Sequence, residues 1–261
     1  MNSSCRSLVL CLLLAGALPP VVQAAEDVAW NKLSSTHFIV LYSGGESELY
    51  RTVAERAEAC YQTIAADLGY TRYQKFWLWD NRVKILIYPT AAAFTAACQA
   101  PAWAIGRASV ERHEIAGFRQ GRDAFLDSLL PHELSHLILG DFIGREHIPL
   151  WLNEGFAQWE QSRGRPAKES LPPLTFRLKD LMTLDIRQEA DRARVSLFYA
   201  QSASLVGFLI RTRGGEAFGA FCRGLRDGKP CEAALTAAYP GDITSLENLE
   251  EKWLKSHDVT K

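Results

Sequence analysis

No cysteine in this sequence has a second one three positions along, no segment repeats, and no stretch is of low complexity. Runs of like charge stop at two or three residues, as at Glu250 and Glu251. Each lack excludes something. Without CxxC, a cysteine zinc site or a thioredoxin-like redox site is not expected. With 29 Lys plus Arg against 30 Asp plus Glu, nothing points to nucleic acid or an anionic membrane as the partner. Without a polar linker, residues 25–261 read as one domain, a size that one large domain accommodates.

The first two dozen residues stand apart. Arg6 precedes an apolar run of about 12 residues, Ser7–Leu18, followed by small residues at Ala24 and Ala25. That run is short of the ~20 residues a membrane-spanning helix needs, and the pattern is that of an export signal cleaved after residue 24. Beyond it, no stretch reads as a membrane span, so no stable insertion is expected once the signal is removed. The expected location is the periplasm or the exterior. Cys60, Cys98, Cys222 and Cys231 remain in the mature chain. An even count in an exported protein suggests disulfides, and turn-rich sequence around Gly228 and Pro230 favours Cys222–Cys231, leaving Cys60–Cys98.

Periodicity then sorts the chain into two halves. His37–Ser43 and Arg82–Pro89 read as strands, separated by a helical pattern over Glu46–Leu68 that Gly69 stops. Thr90 caps a short helix through Ala97, and residues 102–118 supply one or two edge strands. From there the pattern is helical: 123–140, 150–163, 176–183, 195–213, 214–226, 230–238 and 243–256, with Gly140, Gly164 and Gly214 at expected stops. Strands followed by a run of helices imply an α+β fold.

The chemistry is concentrated in PHELSHLILG, where His132, Glu133 and His136 form H-E-x-x-H. On a helix, positions four apart differ by about 400°, so both imidazoles leave one face a turn apart. Two neutral imidazoles in that arrangement can bind one zinc ion, and Glu133, about 100° round the helix from His132, reaches a metal-activated water without being a ligand. The metal lowers the water's pKa; the carboxylate takes its proton and passes it to the leaving group. With six His in the chain, a chance match to this pattern is on the order of one in a hundred.

Catalytic zinc takes a third protein ligand. Glu154 lies in the first turns of a second amphipathic segment after Pro149, flanked by Trp151, Leu152 and Phe156. A carboxylate in so apolar a setting is costly unless it binds a metal or a partner. His147 is the rival, but it sits beside Arg145 and Glu146 in a charged loop and reads as a surface residue. Leu139 and Phe142 occupy the glycine and histidine positions of the longer three-histidine pattern, which excludes it. The site is of the two-His, one-Glu kind.

HELSH at 132–136 followed by PLWLNEGFA at 149–157 resembles the gluzincin branch of zinc metallopeptidases, in particular its small peptidase MA-like members, whose second motif reads W-L-x-E-G-x-A. The resemblance implies a zincin-like fold, zinc held by His132, His136 and Glu154, Glu133 as base, and a peptide or protein substrate. Seventeen residues separate His136 from Glu154, a tighter connection than in the thermolysin and aminopeptidase branches. The resemblance further implies an edge strand before the zinc helix on which an extended peptide pairs, for which Ala104–Phe118 is the candidate; its charges equally suit a strand protected against aggregation. Relatives also carry a Tyr or His that steadies the oxyanion. Tyr199, in FYAQSASLVGFLI, is the candidate by resemblance, beside Tyr239, His113 and Gln201; a core role for Tyr199 fits its sequence as well. A reading of another class is a catalytically silent zinc module that holds an envelope or secreted protein. Glu133 separates the two, since a purely structural site has no use for a general base.

Overall fold

The computed structural model describes residues 30–44, 47–69, 77–101, 104–118, 125–144, 147–163, 176–187 and 189–258. The expected export signal, residues 1–24, and positions 102–103 and 123–124 of expected elements lie outside them. The chain forms two compact units, one comprising residues up to Glu58 with Trp77–Glu133, the other Ala59–Phe76 with Leu134–Lys261.

The first unit is built on a five-stranded mixed sheet. Its strands are β1 (Asn31–Ser34), β2 (Phe38–Tyr42), β3 (Val83–Tyr88), β4 (Gly106–Ser109) and β5 (Glu114–Phe118), in the order β1-β2-β3-β5-β4. Strands β2, β3 and β5 run parallel, while β1 and β4 are antiparallel to their neighbours. Period-two alternation buries Phe38, Val40 and Tyr42 of β2 and Val83, Ile85 and Ile87 of β3. Helix α1 (Ser47–Asp67) begins in this unit, and α2 (Ala91–Cys98) follows β3. The expected cap is present: Thr90 Oγ1 accepts from Ala93 N at 3.1 Å. The segment expected to be edge strand divides. Only β4 is at the edge; β5 lies inside, between β3 and β4.

Gly106 of β4 and Gly117 of β5 face each other across the ladder. A methyl group on Gly106 would sit 2.4 Å from Leu129 Cδ1, and one on Gly117 would sit 3.0 Å from the Phe125 ring. The paired glycines thus leave a flat patch that receives Phe125 and Leu129, one turn of wider π-helix (Phe125–Leu129) that leads directly into the next helix. Leu129 is fully buried, so it has little room to yield. Gly106→Ala is expected to destabilise the fold by about 1–3 kcal/mol, the usual range for overpacking, measurable as a lower denaturant midpoint at unchanged slope.

Helix α3 spans Leu130–Ile143, which carries it past Gly140, the expected stop. The chain leaves the helix at Gly144, whose φ of +91° requires the left-handed region, and Gly144 N donates to Gly140 O at 2.9 Å. Gly140 is simply a buried interior position.

The second unit is helical. It holds α4 (Leu150–Ser162), α5 (Leu178–Thr183), α6 (Arg192–Arg226), α7 (Cys231–Ala238) and α8 (Leu246–Asp258). Helix α6 is two helices that abut: Gly214, at φ +74° and ψ −178°, breaks it into two segments at the position where the sequence predicts a stop. Trp151 and Phe156 of α4 stack on Phe221 and Phe218 of α6's second segment. Against the sequence expectation, α6 is by length and composition apolar enough to cross a membrane, but more than half of its most apolar stretch is buried inside the protein. Cys60, Cys98, Cys222 and Cys231, expected to pair, form no disulfide among the described residues. Burial raises the Cys231 thiol to about 11 and pushes Cys222 up further.

Candidate metal centre

Helix α3 presents the motif as helical geometry requires. His132, Glu133 and His136 are 0%, 1% and 2% exposed, held in an otherwise apolar helix by Leu130, Leu134, Leu137 and Ile138. Helix α4 opens at Pro149, whose fixed φ of −60° suits the position and whose carbonyl accepts from Leu152 and Asn153. Seven consecutive residues, Trp151–Ala157, are buried, which places Glu154 out of solvent at 2% exposure.

One nitrogen from each histidine and one oxygen of Glu154 lie within 4.8 Å of one another. His136 Nε2 is 3.9 Å from Glu154 Oε2. Two donors bound to one tetrahedral zinc at about 2.1 Å stand about 3.5 Å apart, so the group needs only a small contraction to fit the ion. The donor chemistry agrees. Complete burial holds His136 down to about 4, leaving it a neutral imidazole at pH 7, the form that binds metal. Its Nδ1 lies 3.0 Å from Asn153 Oδ1. A carbonyl oxygen only accepts, so Nδ1 carries the proton and Nε2 is the nitrogen that would offer its lone pair to an ion. Asn153, which holds the His136 ring through Nδ1, is a residue that the sequence analysis does not single out. Its signal was a polar side chain beside Glu154 on an otherwise apolar face.

Two measurements follow. Asn153→Ala is expected to weaken zinc binding by about 10–100-fold, the usual cost of losing such a partner, read by chelator competition. In the metal-free protein, His136 holds its proton less tightly when folded (about 4, against the ordinary 6.5) than when unfolded. Its contribution to stability is therefore fully present above about 6.5 and lost as the pH falls towards about 4; urea unfolding of the metal-free protein at pH 7 and pH 4.5 checks the sign.

The remaining candidates separate. Gln201 is fully committed: its Nε2 donates to Phe176 O at 3.1 Å and its Oε1 accepts from Phe176 N at 2.6 Å. Tyr239 donates its hydroxyl to Leu209 O at 3.2 Å. His113 stands in the turn between β4 and β5, its Nδ1 3.5 Å from Asn81 O. Tyr199 is buried in α6, one turn before Ser202. Ser202 in turn meets α4 at Gly155, the residue after Glu154. His147 is exposed, as its sequence setting suggests, its backbone N–H donating to Gly144 O at 3.0 Å. It is absent from the cluster formed by His132, His136 and Glu154.

Farther along α4, Glu160 receives a fork from Arg163, Nε to Oε2 at 3.0 Å and a terminal nitrogen to Oε1 at 3.1 Å. Arg163 also pairs with Asp67, which accepts from Trp159 Nε1 at 3.1 Å. This ties the far end of the ligand-bearing helix to the end of α1.

Compared with known proteins, the chain matches the family model described as Peptidase MA superfamily over residues 78–256, a span that includes both motif helices. No curated protein matches it.

Proposed function

We propose that this chain, which belongs to the peptidase MA superfamily, is a zinc-dependent metallopeptidase in which His132, His136 and Glu154 hold the ion and Glu133 is the general base. The observation that carries the reading is the buried donor cluster of two histidines and one carboxylate, with a fourth buried group, Glu133, between the two histidines in sequence. A site that served only to hold the fold would have no need of that fourth group.

When bound, zinc supplies Lewis acidity, lowering the pKa of water and polarising a carbonyl. The chain's own residues do the rest. His136 is oriented by Asn153 so that Nε2 faces the ion. Glu133 takes a proton from the attacking water and returns it to the leaving nitrogen, work worth about 10²–10⁴ in rate for a positioned acid–base. Tyr199 is the proposed donor to the oxyanion, supported by its place one turn from the Ser202–Gly155 crossing. Strand β4, at the edge of the sheet formed by the described residues, offers backbone groups to an extended peptide, so main-chain pairing would hold the substrate. Export, with cleavage after residue 24, is part of the same proposal and rests on the N-terminal sequence.

The test is zinc content of the purified protein together with hydrolysis of a mixed peptide library, before and after chelation. One zinc per chain, with cleavage abolished by chelation and restored by zinc, supports a peptidase. Zinc bound without cleavage of any peptide favours the silent module that holds a protein partner. A protein that binds no zinc would rule out both.

A further inference from the structure

Resting on the metal-site reading above, we infer that the backbone contact between Gly155 of α4 and Ser202 of α6 is the device that positions Glu154, making Gly155 and Ser202 positioning residues of the metal centre.

A Cβ added to Gly155 would lie 2.5 Å from Ser202 O, 2.7 Å from its carbonyl carbon and 3.0 Å from its Cβ. Ordinary contact begins at 3.4 Å, so one methyl group forces α4 and α6 about 0.9 Å apart at this point. The obstacle is main chain, which cannot rotate aside. Glu154 shares a peptide bond with Gly155, and metal–ligand distances hold to about 0.2 Å. A displacement several times that tolerance, applied one residue from the ligand, leaves the carboxylate out of register with His132 and His136.

Ser202 serves here by its size. It is fully buried, and its hydroxyl has no hydrogen-bond partner among the described residues; such a group costs stability rather than adding it. Only a residue with a small Cβ substituent lets the two backbones meet.

The same pair of helices supplies an internal control. At Gly207, farther along α6, an added Cβ would meet the Trp159 ring at 2.5 Å. There the neighbour is a side chain, five residues from Glu154. Gly207→Ala therefore strains the same interface without reaching a ligand.

The experiment measures zinc affinity by chelator competition, the visible spectrum of the cobalt-substituted protein, and thermal stability of the metal-free form. Gly155→Ala is expected to weaken zinc binding at least about 10-fold and to change the cobalt bands, which report ligand geometry. Gly207→Ala is expected to lower the melting temperature and leave affinity and bands alone. If Gly155→Ala is too unstable to purify, Ser202→Val loads the same contact from the other helix and should show the same spectral change. Wild-type affinity and bands in Gly155→Ala overturn the inference. So does a loss of affinity that Gly207→Ala reproduces in proportion to its lost stability. A wild type that binds no metal overturns the metal-site reading and this inference with it, whereas failure of this inference alone leaves wild-type binding intact.

Discussion

Glu133→Gln is expected to retain one zinc per chain and to lose hydrolysis by about 10²–10⁴-fold, the range for removing a positioned acid–base. The substitution is nearly isosteric and falls on a residue that is 1% exposed, so packing is preserved and the loss is chemical. Glutamine cannot take a proton from water at neutral pH. Should Glu133→Gln hydrolyse peptides as fast as the wild type, another group is the base. If it loses zinc instead, Glu133 is a ligand and the three-donor arrangement is wrong.

The second large effect is on the metal itself. Glu154→Ala removes the donor that α4 contributes and leaves His132 and His136 as the only two protein donors of the cluster. Losing a hydrogen-bonding partner of a ligand costs about 10–100-fold in affinity; losing the ligand is expected to exceed that, more than about 100-fold, with hydrolysis falling below detection. Stability of the metal-free protein should move the other way. Glu154 is a carboxylate at 2% exposure, and taking a carboxylate out of water costs several kcal/mol in desolvation, which a bound ion is expected to offset. The metal-free Glu154→Ala protein is thus expected to melt at or above the temperature of the metal-free wild type while binding zinc far more weakly. A parallel loss of stability and affinity would mean that Glu154 is a structural residue.

The two motifs were legible because both depend on short-range geometry. H-E-x-x-H needs only that residues four apart share a helix face, and helical periodicity over the segment guaranteed it. Glu154 stood out by charge against an apolar face. The break at Gly214 and the caps at Thr90 and Gly69 were equally local. What was missed depends on residues far apart in the chain. Strand β1 (Asn31–Ser34) is polar, with three of its four residues exposed, and is a strand because β2 pairs with it in register. Gly140 looked like a stop and is an interior residue because the chain finds its left-handed exit four positions later. Gln201 and Tyr239 looked available and are occupied by Phe176 and Leu209. Asn153 shows its use only when His136 is brought beside it. The contact of Gly155 with Ser202 joins residues almost fifty positions apart, and no sequence pattern announces it.

The break at Gly214 has an electrostatic consequence as well. By splitting α6, it creates a fresh helix start at the half-buried Gly215, with the partial positive charge of a helix N-terminus. The chain fills that position with the opposite pole of another helix: the carbonyl oxygens of Ala66, Asp67 and Leu68, at the end of α1, close onto Gly215 and Gly219 so tightly that a Cβ would fall 2.2 and 2.0 Å from the nearest of them. Helix α1 has no basic residue in its last turn. The usual cation is unnecessary there because the negative end of one macrodipole rests on the positive end of another, and only glycine at 215 and 219 allows the two to meet.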